Sequence, residues 1–147
     1  MTEEGQNGNA DPSAPWHLWA IGVVALLWYV SGAYTIQMSQ LGLREGLTAD
    51  EVAYYADKPA WLVATTAIAT YGSVIASILL LLRNRWAEAA FGVALAFILL
   101  NNMVELANGT SRIYANNVAA TVTAIIAVIA ALLFLYARAM KRRGVLR

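Results

Sequence analysis

Residues 60–107 read AWLVATTAIATYGSVIASILLLLRNRWAEAAFGVALAFILLNNMVELA, two apolar runs on either side of the polar turn Arg83-Asn84-Arg85. No Lys, Arg, Asp or Glu lies between Lys58 and Arg83, or between Glu88 and Glu105. A helix crosses the hydrocarbon core of a bilayer with roughly 20 mostly apolar residues. Each run meets that length, and the turn between them is short. The pair therefore reads as an antiparallel membrane hairpin, span two from about Ala60 to Leu82 and span three from about Trp86 to Leu106.

The pattern extends outward in both directions. Charged residues are also missing between Asp11 and Arg44 and between Arg112 and Arg138. Span one is expected from about Trp16 to Met38, after Pro15, a residue suited to a helix start. Span four is expected from about Asn117 to Tyr136, ahead of Arg138, Lys141, Arg142, Arg143 and Arg147. Of the 147 residues, 60% are hydrophobic and only 13% charged, where a soluble domain carries about 25% charged residues. The expected fold is all-α, an integral membrane four-helix bundle with a short interfacial helix between spans one and two. Residues 1–15 read as a disordered acidic tail, 16–137 as the transmembrane domain and 138–147 as a basic tail. With no basic residue before Arg44, the first run lacks the basic start of a cleaved signal and is expected to stay as a span.

Basic residues orient the bundle. The side holding the N-terminal tail, the 83–86 turn and the C-terminal tail carries seven Lys or Arg, against three in the 39–59 and 107–116 loops. The positive-inside rule then puts both termini in the cytoplasm.

Composition removes whole classes of chemistry. There is no Cys and a single His, so thiolate sites, bis-His haem ligation and two-His zinc sites are unavailable within one subunit. The usual hydrolase and nucleotide signatures are absent. A net charge of +1 without a basic, aromatic soluble face argues against nucleic acid. No enzymatic activity, cofactor or metal is expected.

Three features stand out from plain lipid-facing helix. Thr66, Thr70, Ser73 and Ser77 recur on one face of span two, and Asn116, Ala120, Thr123, Ala127 and Ala130 on one face of span four. Small residues let membrane helices approach closely, so these read as packing faces rather than a polar path. Asn101, Asn102 and Glu105 share a face at the end of span three. Tyr34, Gln37, Thr65, Thr66 and Asn117 are expected at similar depth, forming a polar ring that reads as bundle glue with an interfacial carboxylate, as a small-solute or proton site, or as a partner contact. His17, between Trp16 and Trp19, reads as an interfacial anchor.

Before span two, Thr48-Ala49-Asp50-Glu51 has the spacing of a capping box. A short helix should follow and stop at Pro59. It either rests Leu47, Val52 and Tyr55 on the bilayer or simply spaces the two spans. Asn108-Gly109-Thr110 reads as a turn.

Pro15-Trp16-His17-Leu18-Trp19, Gly32-Ala33-Tyr34 with Met38 and Gln40, Pro59-Ala60-Trp61, and Leu79 through Ala87 give the chain a resemblance over roughly residues 15–100. It is similar to small four-span inner-membrane proteins of alphaproteobacteria and other Gram-negative bacteria, some of them labelled "sugar transporter". Those proteins often carry Asp directly after Gly-Ala-Tyr, where this chain has Thr35. The resemblance implies a four-span fold in a bacterial inner membrane. The expected role is that of a small non-enzymatic membrane protein acting through helix packing, as an accessory subunit or a self-assembling bundle. Its partners would be the lipid bilayer, further copies of itself or another membrane protein. The alternative is a small-solute transporter or channel subunit using the polar site around Glu105.

Overall fold

The structure, a computed structural model, describes residues 14–108 and 118–147. Among these the chain is all-helical: α1 Trp16–Gln40, α2 Ala49–Ala56, α3 Ala60–Leu81, α4 Ala87–Ala107 and α5 Val118–Arg142. The four longer helices are long and apolar enough to cross a membrane, and α2 is the short helix between the first two of them. The expected acidic tail falls outside the described residues, except for Ala14 and Pro15.

Local chemistry explains most helix ends. Pro15 and Pro59 stand immediately before α1 and α3, where a missing N–H costs no hydrogen bond. The capping box on α2 is formed. The Thr48 hydroxyl accepts from the Glu51 N–H at 3.3 Å, and a Glu51 carboxylate oxygen accepts from the Thr48 N–H at 2.8 Å. Helix α1 closes with paired bonds from the N–H groups of Gly42 and Leu43 to the carbonyls of Ser39 and Met38. The left-handed φ of +67° at Gly42 makes that closure possible.

The same closure ends α3, but there the left-handed residue is Arg83, with φ +55°. Its N–H bonds to Leu80 and that of Asn84 to Leu79. The Asn84 side chain then accepts from the Trp86 N–H at 2.9 Å and starts α4. Three residues thus reverse the chain and set α3 antiparallel to α4.

The long helices pack in the order α1, α3, α4, α5. Small residues mark the close approaches, as expected where hydrocarbon on both sides removes a hydrophobic drive between helices. A Cβ added at Gly22 of α1 would lie 2.5 Å from the Leu81 side chain of α3. One at Gly92 of α4 would lie 3.2 Å from Phe134 of α5. The larger core gathers at the basic end around Leu18, Leu80, Phe91 and Ala137, and a smaller one joins Ala69, Ile98 and Ala130.

At the C-terminal side the structure departs from the expected segmentation. Helix α5 runs six residues past Tyr136 because Lys141 and Arg138 reach Glu88 at 2.7 and 3.9 Å, giving the extra turn an anchor on α4. Gly144, with φ +70°, then closes it, with bonds from Gly144 to Lys141 and from Val145 to Met140. Residues 143–147 are not a free tail. Val145 and Leu146 are buried in the core, and Arg147 exchanges backbone bonds with the 83–85 turn.

Candidate functional site

Helix α2 and the end of α4 build a compact polar site. The capping box sets the start of α2 and so places Tyr54 one turn later. Pro59 stands just before α3 and leaves Lys58 in the three-residue link between the helices. Both side chains converge on Glu105, in the last turn of α4. The Tyr54 hydroxyl donates to Glu105 Oε1 at 3.3 Å, and the Lys58 ammonium stands 3.7 Å from the same oxygen. Lys58 also lies 5.6 Å from the Tyr54 ring centroid, a cation–π distance. The Lys58 side chain is 4% exposed and that of Glu105 31%. A buried ammonium is costly unless paired, and Glu105 supplies the charge that makes Lys58 tolerable there. Beside them lies a cavity of about 440 Å³ lined by Asp50, Tyr54, Asp57, Lys58, Leu62 and Asn108, among others.

One turn deeper, the Thr65 hydroxyl lies 2.9 Å from Asn101 Oδ1 and 3.0 Å from the Leu62 carbonyl, its one proton shared between them. Asn101 is buried, so this contact ties α3 to α4 where water is scarce. The Glu51 carboxyl, by contrast, is partly exposed at the start of α2. It is held below the usual carboxylate range chiefly by the Thr48 N–H, then by the Thr48 hydroxyl.

The expected ring around Glu105 resolves into separate clusters. Asn101 and Thr65 are brought together, and Glu105 sits a turn away. Gln37 pairs instead with Tyr71, whose hydroxyl donates to it at 3.1 Å, bridging α1 and α3. Tyr34 is exposed on the outside of α1. Thr66 bonds back to the Leu62 carbonyl at 2.8 Å. Asn102 is half-buried, and Asn116 and Asn117 lie outside the described residues.

Sequence reasoning missed Lys58 and Tyr54 as partners of Glu105. A lysine directly before a helix-starting proline, at the level of an interfacial carboxylate, was the available signal.

The α3 stripe faces inward. Thr66 and Thr70 are half-buried, Ser73 and Ser77 fully so. Ser73 and Ser77 donate to the carbonyls four residues back, at 2.7 and 2.9 Å. Of the α5 face, Thr123 is half-buried, Ala127 packs on the smaller core, and Ala130 is buried; the side chain of Ala120 is outside the described set. Tyr29 points its buried hydroxyl toward Ser73 without a well-formed hydrogen bond.

His17 does more than anchor an interface: its Nδ1 lies 2.6 Å from the Tyr136 hydroxyl, pinning α1 to α5 at the basic end. Farther along these helices is a second cavity of about 440 Å³, lined by Ala20, Ile21, Val24, Trp28, Ile129 and Leu132, with Ala25 and Leu133 behind. All of its lining residues are apolar.

Among the described residues no group of three His, Asp or Glu side chains gathers to hold a metal ion. No family model, curated protein or solved structure matches the chain.

Proposed function

We propose that the chain is a non-enzymatic membrane component that works by helix packing, as an accessory subunit or a self-assembling bundle. The observation that carries this reading is the apolar cleft between α1 and α5. The buried Ser73 and Ser77 hydroxyls of α3 are spent on their own helix, which leaves them to serve packing at mid-span. The cleft leaves an apolar seam into which side chains of a neighbouring helix would pack by van der Waals contact. The resemblance to small four-span bacterial proteins and the excess of basic residues at one end support an inner-membrane location with both termini cytoplasmic. A reporter fused after Arg147 should be active in the cytoplasm.

The test of the main reading is purification in lipid nanodiscs, with mass and co-purifying chains read by native mass spectrometry. A stoichiometric foreign subunit or a homo-oligomer is expected. Ala20→Trp, which fills the cleft from an exposed position, should release it. A monomer in the unaltered protein would overturn the reading.

A second reading, a small-solute transporter or channel subunit, draws on the cavity beside Lys58 and Glu105. There a buried ammonium and nearby carboxylates face a space large enough for a small polar solute, sugars included. Glu105→Gln should then abolish uptake while leaving expression and assembly intact. Unchanged uptake would remove this reading.

A further inference from the structure

The basic end of the bundle is more organised than an excess of positive charge requires. Among the described residues it carries Arg83, Arg85, Arg138, Lys141, Arg142, Arg143 and Arg147, of which Lys141 and Arg138 reach Glu88. The fold draws these charges together. Gly144 turns the chain back, and Val145 and Leu146 bury themselves in the core at 5% exposure each. The Arg147 N–H then donates to the Arg83 carbonyl at 2.7 Å, and the Arg85 N–H to the Arg147 carbonyl at 2.8 Å. Arg83 Nε donates to the Val145 carbonyl at 3.1 Å. This strap holds residues 143–147 against the 83–85 turn, although like charges repel one another there.

The height of the cluster is marked independently. Trp16 and Trp19 at the start of α1, and Trp86 just before α4, are all exposed at this same end. The Arg85 guanidinium lies 5.9 Å from the Trp86 ring centroid. Exposed tryptophans at helix ends lie at the level of lipid headgroups. The basic side chains thus stand where phosphodiester groups stand.

We infer that this end is a docking face for anionic phospholipid headgroups, assembled by the strap between residues 143–147 and the 83–85 turn. The inference rests on reading the four long helices as membrane spans. Bidentate guanidinium–phosphate bonds suit the chemistry, and each basic residue near an anionic surface strengthens attraction about fivefold. Glu3, Glu4 and Asp11 precede α1 in the sequence and are the competitors for these charges that the test must separate.

The test uses the full chain in nanodiscs containing phosphatidylglycerol and phosphatidylcholine, with retained lipids counted by native mass spectrometry. Preferential retention of phosphatidylglycerol, weakened by salt, is expected. Arg85→Gln and Arg143→Gln, both at exposed side chains, should each lower it about fivefold. Equal retention of the two lipids, or unchanged retention in both variants, overturns the inference. Displacement of the lipid by millimolar inorganic phosphate overturns it too, in favour of a free-phosphate site. A preference that emerges only after Glu3→Gln, Glu4→Gln and Asp11→Asn identifies the tail as the native occupant and also refutes it. Failure to enter nanodiscs at all would instead refute the spans.

Discussion

Lys58 and Glu105 stand 3.7 Å apart across the junction of α3 with the end of α4, and the lysine is the more deeply buried of the two. Their pairing, reinforced by the Tyr54 hydroxyl, fastens α2 over the polar end of the bundle. The carboxylate that stood out in the sequence is thus half of a latch, and its partner is a residue from a linker.

Removing either half should have unequal consequences. Glu105→Gln leaves a buried ammonium without its counter-charge and should cost roughly 1 kcal/mol, the one-third exposure of Glu105 keeping the loss below that of a fully buried pair. Lys58→Met removes the charge together with its desolvation penalty and should cost less. Thermal unfolding of both variants in the same detergent checks the order, and a larger loss for Lys58→Met would dismiss the latch.

The Tyr29 hydroxyl is buried without a well-formed partner. Deleting an unsatisfied buried polar group is close to neutral or stabilising. Tyr29→Phe should therefore leave unfolding within about 0.5 kcal/mol of the native chain or raise it. A loss of more than about 1 kcal/mol would mean that the hydroxyl is bonded after all.

Arg83 holds a left-handed backbone with φ +55° and compensates with its bond to the Val145 carbonyl. Arg83→Ala loses the bond and keeps the strain, whereas Arg83→Gly loses the bond and relieves the strain. Glycine should come out about 1 kcal/mol more stable than alanine at this position. Equal stabilities in denaturant titration would contradict the left-handed assignment.

Acid should loosen α2 through Glu51. Its folded carboxyl titrates below the ordinary value, so the cap contributes fully above the unfolded pKa of about 4.3 and is lost as pH falls through the lower folded value. The protection of the Thr48 amide against hydrogen exchange, taken relative to its intrinsic rate at each pH, should fall across that window. Glu51→Gln, which also accepts in a capping box, should flatten the dependence. A native profile that is flat from pH 5 to pH 2 would exclude this role for Glu51.

The spans were legible because charge is too expensive in hydrocarbon to be scattered along a membrane helix. Gaps between charged residues therefore mark the first three long helices to within two residues, whereas α5 runs six residues past its expected end. Helix starts at Pro15 and Pro59, and the Thr48–Glu51 capping box, were legible for a different reason: their hydrogen bonds close within a few residues.

What lay beyond the sequence was which faces meet. Lipid tails are as apolar as leucine, so an apolar face turned to lipid and one turned to a neighbour look alike. Only the folded chain shows that Gly22 admits Leu81, that His17 reaches Tyr136, and that Lys58 pairs with Glu105. The strap at Val145 and Leu146 belongs with these, since its hydrogen bonds join residues 62 to 64 positions apart. Local hydrogen bonding and the cost of charge in lipid write the helices into the sequence. Contacts between distant segments, made between surfaces of nearly equal hydrophobicity, exist only once the helices have found one another.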